Sequence, residues 1–435
     1  MIENIKKSMR NINWRLFWAL MVMGLCPTVY TTVRTFLLGQ LPGEYAFSIA
    51  GQLSWVNLLF EVINEAIILP LYFFMGQVIN DKMQFVNRVK TGLIIATGVY
   101  SVCSVCTIVA INPLLKFMSV STDILAESAS YIRLECIANI FGIMYAFIGV
   151  VLVTIGKEKL VYGITFAKLG LSLVLDTFIV STLPVSLNLG VNGIAISNVI
   201  SNIILFFVAI LMLCKSGYKI FEKTRLSFVW TKEFLKIGGV SGLECLVRNL
   251  AYMLMISRMV NVVGAQGTYW VANNFIWGWI LLPVLQLGEL IKQETAKNKD
   301  AVKTNTAGYF CTTTIICLLW VVCIPLYKPF MKYVLNFSDV NELFNLVMVL
   351  FVFYIFFAFQ NVFDATFYGR GKVNYMLCES VVTNSVYYGI CFILYKAGIF
   401  VPSLTGIALM FGLGNAFDAI VSGIAYKIFL KKEMS

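Results

Sequence analysis

The sequence predicts an all-α integral membrane protein with twelve transmembrane helices in two six-helix lobes, related by a pseudo-two-fold axis along the membrane normal. Hydrophobic residues make up 59% of the 435 residues, charged residues make up 13%, and the mean hydropathy is +0.84. A chain of this composition has too little polar surface to cover a soluble core. The apolar residues come in blocks of about 20, the length with which an α-helix crosses roughly 30 Å of hydrocarbon, and they lack the alternation of an outer-membrane strand.

Twelve such blocks follow one another along the chain, with ends that are soft by several residues because helix ends are poorly marked in one sequence. They cover residues 14–38, 46–75, 91–115, 129–154, 160–182, 190–214, 237–262, 268–290, 305–327, 343–367, 373–395 and 405–427. The first block is too long for the apolar core of a signal peptide. We therefore expect it to remain in the mature protein as helix 1.

The basic residues are distributed unequally between the two sides of this topology. With a cytosolic N-terminus, 24 Lys or Arg fall in the inside segments, counting Arg15 and Lys427 at the cytosolic ends of their blocks, and 4 fall in the outside loops. Such a bias sets membrane orientation, so we expect a multi-pass protein of the cell membrane with both termini in the cytosol. The net charge of +11 is assigned to orientation, and nucleic acid is excluded as a partner.

The two halves of the chain repeat at a constant offset of 213 residues. Matching pairs at this offset are Pro70 with Pro283, Gly156 with Gly369 and Asn202 with Asn415. We divide the chain into an N-terminal lobe (1–214), a basic cytoplasmic connector (215–236) and a C-terminal lobe (237–435). An even number of helices in each half gives both the same orientation, and the cleft between two such lobes is the expected substrate site.

Four segments carry a resemblance to a known family. The segment GGVSGLECLVRNLAYMLMISRMVNVVGAQGTYWVANN, from Gly238, is similar to the start of the second lobe in the multidrug and toxic compound extrusion (MATE) family. The segments YIRLECIANIF, VTIGKEKLVYGITFAKLGLSLVLDTFIV and LNLGVNGIAISNVISNII, from Tyr131, Val153 and Leu187, resemble its helices 4 to 6 in order and spacing. The resemblance covers nearly the whole chain. It implies export by alternating access, with Na⁺ or H⁺ entering as a usually cationic, amphiphilic substrate leaves.

Helix 1 departs from the family pattern, which commonly reads Val-Asp-Thr followed by Gly. Here Val33-Arg34-Thr35 precedes Gly39, so a base replaces the acid, whereas Asp176 keeps the family's helix 5 acid. One hypothesis is that Arg34 and Asp176, at similar depths, form an ion pair in place of the first-lobe cation site. The alternative is that Arg34 binds an anionic substrate.

Charged residues within the apolar blocks are candidate functional residues, because a charge at mid-bilayer costs about 2.5–3.5 kcal/mol or more. We assign the following to ion coupling or substrate binding: Arg34, Glu61, Glu65, Lys168, Asp176, Glu244, Arg248, Asp364 and Asp418. The alternative for each is an internal pair that only specifies helix packing.

Glu61 and Glu65 lie four residues apart on helix 2. Two acids on one face repel, which makes one of them a candidate proton carrier. Neutralisation by Lys168 or Arg34 is the alternative.

The spacing of four also relates two further groups. Glu244 precedes Arg248, the better order for an intrahelical pair. Lys168, Ser172 and Asp176 share one face of helix 5, and we expect that polar stripe to point into the lobe rather than at lipid.

Asp364, Glu379 and Asp418 lie toward the cytosolic ends of helices 10, 11 and 12. They either pair with the nearby Arg370 and Lys372 or form an acidic vestibule that attracts cations.

No enzyme is predicted, since no nucleophile with a base and no metal-ligand pattern is found, and the chain has no His. We expect no cofactor, with H⁺ or Na⁺ as the coupling ion. The expected partners are a small amphiphilic molecule and the lipid bilayer, and the protein is expected to be a monomer. A flippase or exporter of an anionic lipid-linked or metabolite substrate, using Arg34 and Lys168, is the alternative function. A facilitator-type transporter is disfavoured, because Gly76 and Asp81-Lys82 have the wrong spacing for its loop motif.

Overall fold

The computed structural model describes residues 2–41, 45–218, 220 and 226–434, and the regular secondary structure in these ranges is helical. The first half contains α1 Ile2–Asn11, α2 Trp14–Leu38, α3 Ala46–Gly76, α4 Lys82–Phe117, α5 Thr122–Thr154, α6 Glu158–Ile179 and α7 Gly190–Lys215. The second half contains α8 Thr231–Ala251, α9 Arg258–Val262, α10 Gln266–Phe275, α11 Leu282–Lys297, α12 Ala301–Thr304, α13 Thr306–Tyr333, α14 Val340–Gly369, α15 Val373–Val382, α16 Gly389–Lys396 and α17 Leu404–Met434. Three π-helices, Tyr252–Ser257, Ile276–Ile280 and Thr383–Tyr388, interrupt this second half.

Among the described residues, 11 helices are long and apolar enough to cross a membrane. Two further helical segments, Gln266–Ile280 and Leu282–Lys297, are together long and apolar enough and bend by 53° at the break between them. The predicted number of twelve is confirmed if this bent pair is one span. The expectation of one continuous helix over 268–290 is wrong, because the helix breaks within that range.

The break has two local causes. The N–H of Leu281 donates to the carbonyl of Ile276 at 2.8 Å, which closes a wide π-helical turn, and Pro283 in the next turn has no N–H to donate. Both features commonly bend helices. Pro70, the counterpart of Pro283 in the repeat, lies inside the continuous helix α3. The sequence repeat is therefore not a repeat of helix geometry at this position.

Two compact units can be distinguished by their internal packing: Met1–Gly39 with Leu254–Ser435, and Gln40–Met253. In the first unit α14 packs on α17 and α11, and α2 packs on α11. In the second unit α5 packs on α7 and α4, and α3 packs on α8. This grouping exchanges α2 and α8 relative to the predicted lobes, and the lobes as functional bodies stay a prediction.

The packing of α8 on α3 depends on a close backbone approach. A Cβ atom at Gly238 would lie 1.9 Å from the carbonyl oxygen of Ala66, and one at Gly242 would lie 3.0 Å from the Ala66 Cβ. Glycine at 238 is therefore required for the two helices to pack at this distance. This close approach explains why α8 groups with the first half of the chain.

The sequence analysis did not identify helix α1, which docks on the start of α13. Its polar residues Lys6, Lys7 and Arg10 are exposed, whereas Ser8 is buried. The N–H of Gly308 donates to the Ser8 hydroxyl at 2.7 Å. Helix α1 thus uses one face to pack and leaves the charged face exposed.

The connector is described at 215–218, 220 and from 226 onward. Phe228 is exposed, whereas Phe234 is buried beside Trp230, with ring centroids 5.0 Å apart. The indole N–H of Trp230 donates to the Thr91 hydroxyl at 3.0 Å. Trp230 and Phe234 therefore hold the C-terminal end of the connector in place within the unit Gln40–Met253.

Candidate ion-coupling site

Three segments of the unit that contains the second half each provide an acid and a neutral polar residue, four positions apart. Helix α14 provides Gln360 and Asp364, α15 and the following π-helix provide Glu379 and Thr383, and α17 provides Asp418 and Ser422. Residues four apart share a helix face. Each segment can therefore direct both members of its pair to one region, and the hydrogen bonds place the three acids together. We call Asp364, Glu379 and Asp418 the carboxylate cluster.

Gln360 joins two members of the carboxylate cluster. Its amide nitrogen Nε2 donates to Glu379 Oε1 at 2.8 Å and to Asp418 Oδ2 at 2.7 Å. The Thr383 hydroxyl donates to the other oxygen of Asp418, Oδ1, at 2.5 Å. Both oxygens of Asp418 thus accept hydrogen bonds from neutral donors.

The remaining contacts involve Asp364 and the free oxygen of Glu379. The Ser422 hydroxyl donates to Asp364 Oδ1 at 2.8 Å, and Ser422 is fully buried. Glu379 is only 4% exposed, and its Oε2 is buried and receives no hydrogen bond from the part of the chain that the structure describes. A buried carboxylate oxygen without a donor is costly, and a proton or a cation on it would lower that cost.

Crowding gives the carboxylate cluster its chemical character. Carboxylates this close repel one another when all are ionised, and burial in a membrane-spanning bundle limits relief by water. The cluster is therefore suited to exchange between an occupied and an empty state, with a proton or a small cation as the occupant. Gln360, Thr383 and Ser422 hold the acids without neutralising their charge.

The sequence predicted Asp364 and Asp418 as site residues and placed Glu379 near them. The structure brings these three together. Sequence reasoning missed the donors Gln360, Thr383 and Ser422, although each stands four residues from an acid in the printed sequence. The spacing within each helix was visible, but which helices are neighbours was not.

The polar stripe on α6 faces the interior of the unit Gln40–Met253, as predicted. Asp176 and Ser172 are buried, and the Ser172 hydroxyl lies 3.4 Å from that of Ser201 on α7. Lys168 is partly exposed, with its Nζ 5.4 Å from the centre of the Tyr145 ring on α5. The stripe runs from this cation–π contact into the buried region around Asp176.

Glu61 and Glu65 on α3 lie beside α8. The amide of Asn249 donates to Glu61 Oε2 at 3.3 Å. Arg248, Glu61 and Glu65 are all within electrostatic range of Cys245. A base on α8 is therefore available to these acids, which favours charge compensation within this unit. Their role as proton carriers stays a prediction.

Two of the predicted pairs remain predictions. The side chain of Glu244 lies outside the described residues, so its pairing with Arg248 is not described. The guanidinium carbon of Arg34 lies 4.2 Å from the centre of the Tyr30 ring, one turn earlier on α2. Arg34 and Asp176 belong to different units, and their ion pair stays a hypothesis.

A buried acid in the first half was not assigned a role by the sequence analysis. Glu135 on α5 is 3% exposed, and its Oε1 accepts a hydrogen bond of 2.7 Å from the Asn198 amide on α7. On the same pair of helices, the Asn202 amide donates to the carbonyl of Ala138 at 3.0 Å. These bonds fix the register of α5 against α7.

Comparison with known proteins agrees with this architecture. The family model described as MatE matches residues 19–178. The fold is similar to that of a multidrug resistance MATE family transporter of the MOP superfamily in the inward-facing conformation, with a TM-score of 0.78, 18% identity and coverage of 94% of this chain and 95% of that one. An outward-facing conformation gives a TM-score of 0.71 at 18% identity, covering 98% of each chain.

A third similar structure is a MOP superfamily transporter from Pyrococcus furiosus, described as having a binding pocket of reverse polarity that suggests a different function. It gives a TM-score of 0.69 at 18% identity and covers 99% of this chain and 98% of that one. No curated protein matches the sequence. The resemblance inferred from the sequence is confirmed: residues 19–178 match the MatE family, and the chain as a whole has the fold of the MATE transporters.

Proposed function

We propose that this protein is a secondary active exporter that moves amphiphilic, cationic organic compounds out of the cell by alternating access, coupled to the influx of H⁺ or Na⁺. It acts as a monomer in the cell membrane, with both termini in the cytosol. Its chemistry is transport, with no cofactor beyond the coupling ion.

The carboxylate cluster is the observation that carries this proposal. Ionisable groups kept inside membrane spans are costly and are commonly part of ion or proton pathways. Here three acids from three helices converge, two of them share the amide of Gln360, and Glu379 keeps one oxygen without a donor. A purely structural pair of helices would be joined more simply by neutral groups.

Coupling requires that the ion bind the two conformations of the transporter unequally. Loading the carboxylate cluster removes repulsion between α14, α15 and α17, so the loaded and empty clusters favour different packings of these helices. By reciprocity, a substrate that favours the other packing expels the ion. The cluster can thereby exchange one cation for another without direct contact between them.

The test uses proteoliposomes and ethidium as the cationic probe. An imposed inward H⁺ or Na⁺ gradient should drive ethidium against its gradient in the wild type. Asp364→Asn, Glu379→Gln and Asp418→Asn, singly and together, should abolish this uphill movement. Glu342→Gln, an exposed acid near the start of α14, is the matched control and should pump normally. Uphill transport by the triple variant would refute the proposal.

A second candidate function is the export or flipping of an anionic substrate. It is favoured by two bases within the spans, Arg34 and Lys168, and by the similarity of fold to a transporter described as having a binding pocket of reverse polarity. An anionic substrate would use these bases as ligands, and Asp176 would then not be needed to neutralise Arg34.

The two functions differ in their response to single substitutions. If Arg34 binds an anion, Arg34→Ala abolishes binding of that anion while Asp176→Asn is well tolerated. If Arg34 pairs with Asp176, each single change damages expression, and the exchange Arg34→Asp with Asp176→Arg restores much of it, because an unpaired buried charge commonly costs about 3–5 kcal/mol. A cell-envelope defect on loss of the protein, without sensitivity to cationic dyes, would support the anionic substrate.

A further inference from the structure

A cavity of about 230 Å³ lies between α2 and the π-helix Ile276–Ile280, within the unit that contains both. Thr28, Thr31, Thr32 and Thr35 line one side, and because their spacing is three and four residues they share one face of α2. The described residues around the cavity include no acid and no base. It is therefore distinct in position and in chemistry from the carboxylate cluster.

The threonine hydroxyls make the wall of α2 rich in hydrogen-bond acceptors. Thr28 donates to the carbonyl of Gly278 at 3.1 Å, and Thr32 donates to the carbonyl of Thr28 at 2.8 Å. The Thr32 oxygen also accepts from the indole N–H of Trp279 at 2.9 Å. The hydroxyl protons of Thr28 and Thr32 are already donated within the protein, so a ligand's acceptor must find its donor elsewhere on the wall.

The opposite wall is aromatic and held in place by its neighbours. Trp279 packs edge-on against Phe330, with ring centroids 5.2 Å apart. Trp277 packs edge-on against Phe357 at 5.4 Å. These rings are fixed before any ligand arrives. Rigid aromatic faces favour stacking of a flat ring, because little side-chain freedom is lost on binding.

Asn274, in the last turn of α10, adds a buried amide nitrogen to the wall of the cavity. Its side-chain nitrogen Nδ2 is buried and has no hydrogen-bond partner among the described residues. Such a group lowers its free energy by finding an acceptor. Asn274 lines the cavity, so a reorientation of its amide would bring an N–H group to an acceptor bound there.

We propose that this cavity binds an uncharged, planar aromatic group that carries a hydrogen-bond acceptor. The flat ring lies against Trp279, whose indole faces α2, and the acceptor receives a hydrogen bond from Asn274. A cavity of this size is smaller than those that enclose whole drug-sized ligands, about 300–1,000 Å³, so it takes one part of a larger compound. The inference rests on the proposed transport function in one respect: the aromatic group is taken to be part of an exported amphiphile. The positive charge of that amphiphile would lie outside this cavity.

The test measures equilibrium binding to the purified protein in detergent, so it is independent of ion coupling. The probes are acridine, at slightly alkaline pH where its ring nitrogen is unprotonated, and N-methylacridinium, which has the same rings with the acceptor blocked and a fixed charge. Tryptophan quenching and probe fluorescence report binding. The wild type should bind acridine about tenfold or more tightly than Asn274→Leu does, the effect of one buried hydrogen bond with its desolvation.

Two variants locate the site. Asn274→Leu should weaken binding of acridine but not of N-methylacridinium, and Thr31→Met should fill the cavity and weaken binding of acridine about tenfold or more. Thr314→Met, the same change at an exposed position on α13, is the control and should bind like the wild type. Wild-type binding of acridine by a folded Thr31→Met, or an equal loss of acridine and N-methylacridinium binding in a folded Asn274→Leu, would overturn the proposal. Because the Thr31→Met outcome needs no change at Asn274, the test holds even if Asn274→Leu does not fold.

Discussion

The amide nitrogen of Gln360 lies 2.8 Å from Glu379 Oε1 and donates a hydrogen bond to it. The same nitrogen donates a second hydrogen bond to Asp418 Oδ2 at 2.7 Å. One neutral side chain on α14 therefore connects acids from α15 and α17. Removing it would leave two carboxylate oxygens without this donor in a poorly solvated place.

This relationship predicts strong non-additivity between Gln360 and Glu379. Gln360→Leu alone should destabilise the protein by about 1–3 kcal/mol, because unsatisfied buried acceptors remain. When Glu379→Leu is added, part of this loss should be recovered, with a coupling of about 0.5–3 kcal/mol. Thermal unfolding in detergent measures each step of the cycle. Glu342→Gln, on the same helix but outside the cluster, is the control, and its effect on stability should add to that of Gln360→Leu. If the effects of Gln360→Leu and Glu379→Leu were additive as well, the described contact would be contradicted.

Adjacent glycines at the start of α8 provide a matched pair. A Cβ at Gly238 would meet the Ala66 carbonyl at 1.9 Å, whereas one at Gly239 would meet nothing within 4 Å. Gly238→Ala should force α8 away from α3 and lower the stability by about 1–3 kcal/mol. Gly239→Ala should raise it by about 0.5–1 kcal/mol, because alanine is the better helix former. Equal melting temperatures for the two variants would show that the helices do not approach this closely.

The docking of α1 predicts a local effect at Gly308. A Cβ there would lie 2.9 Å from the Ser8 hydroxyl oxygen and 3.0 Å from the Met9 nitrogen. Gly308→Ala should therefore loosen α1 while leaving the spans intact. Hydrogen exchange of the N-terminal peptide should become faster, since local opening sets its rate. Gly163→Ala, on α6 with nothing within 4 Å, is the control, and protection of α1 that is unchanged in Gly308→Ala would show that α1 is not held by this contact.

The orientation predicted from the basic residues can be tested with single cysteines on a cysteine-free background. Ser227 and Ser338 are both exposed, and the bias of 24 to 4 places Ser227 inside and Ser338 outside. In intact cells, Ser338→Cys should react with an impermeant thiol reagent and Ser227→Cys should be shielded. The reverse labelling would invert every statement about inside and outside.

Hydropathy was sufficient to predict the membrane-spanning helices but not the way they group. Twelve apolar blocks predict twelve spans; the described residues contain 11 such helices and the bent pair around Leu281, which makes twelve if it is one span. The break was not predicted, because a proline in a helical pattern is compatible with a continuous helix, as Pro70 in α3 shows. The pairing of α8 with α3 depends on Gly238, and a glycine in an apolar block does not reveal which helix it will touch.

The candidate site was also predicted only in part from the sequence. The cost of a charge in the membrane identified Asp364 and Asp418 from the sequence alone. Gln360, Thr383 and Ser422 carry no charge, and neutral polar residues are tolerated at many places in a helix bundle. They become significant only when the fold brings α14, α15 and α17 together.

The most direct test of the account is the ion flux that accompanies substrate movement. Proteoliposomes should be given an ethidium gradient with no imposed ion gradient, and the internal pH and Na⁺ concentration should be recorded with trapped indicators. In the wild type and in Glu342→Gln, downhill ethidium should drive a counterflow of H⁺ or Na⁺. In Glu379→Gln with Asp418→Asn that counterflow should be lost. Counterflow of normal size in this double variant would contradict the assignment of the carboxylate cluster as the coupling site.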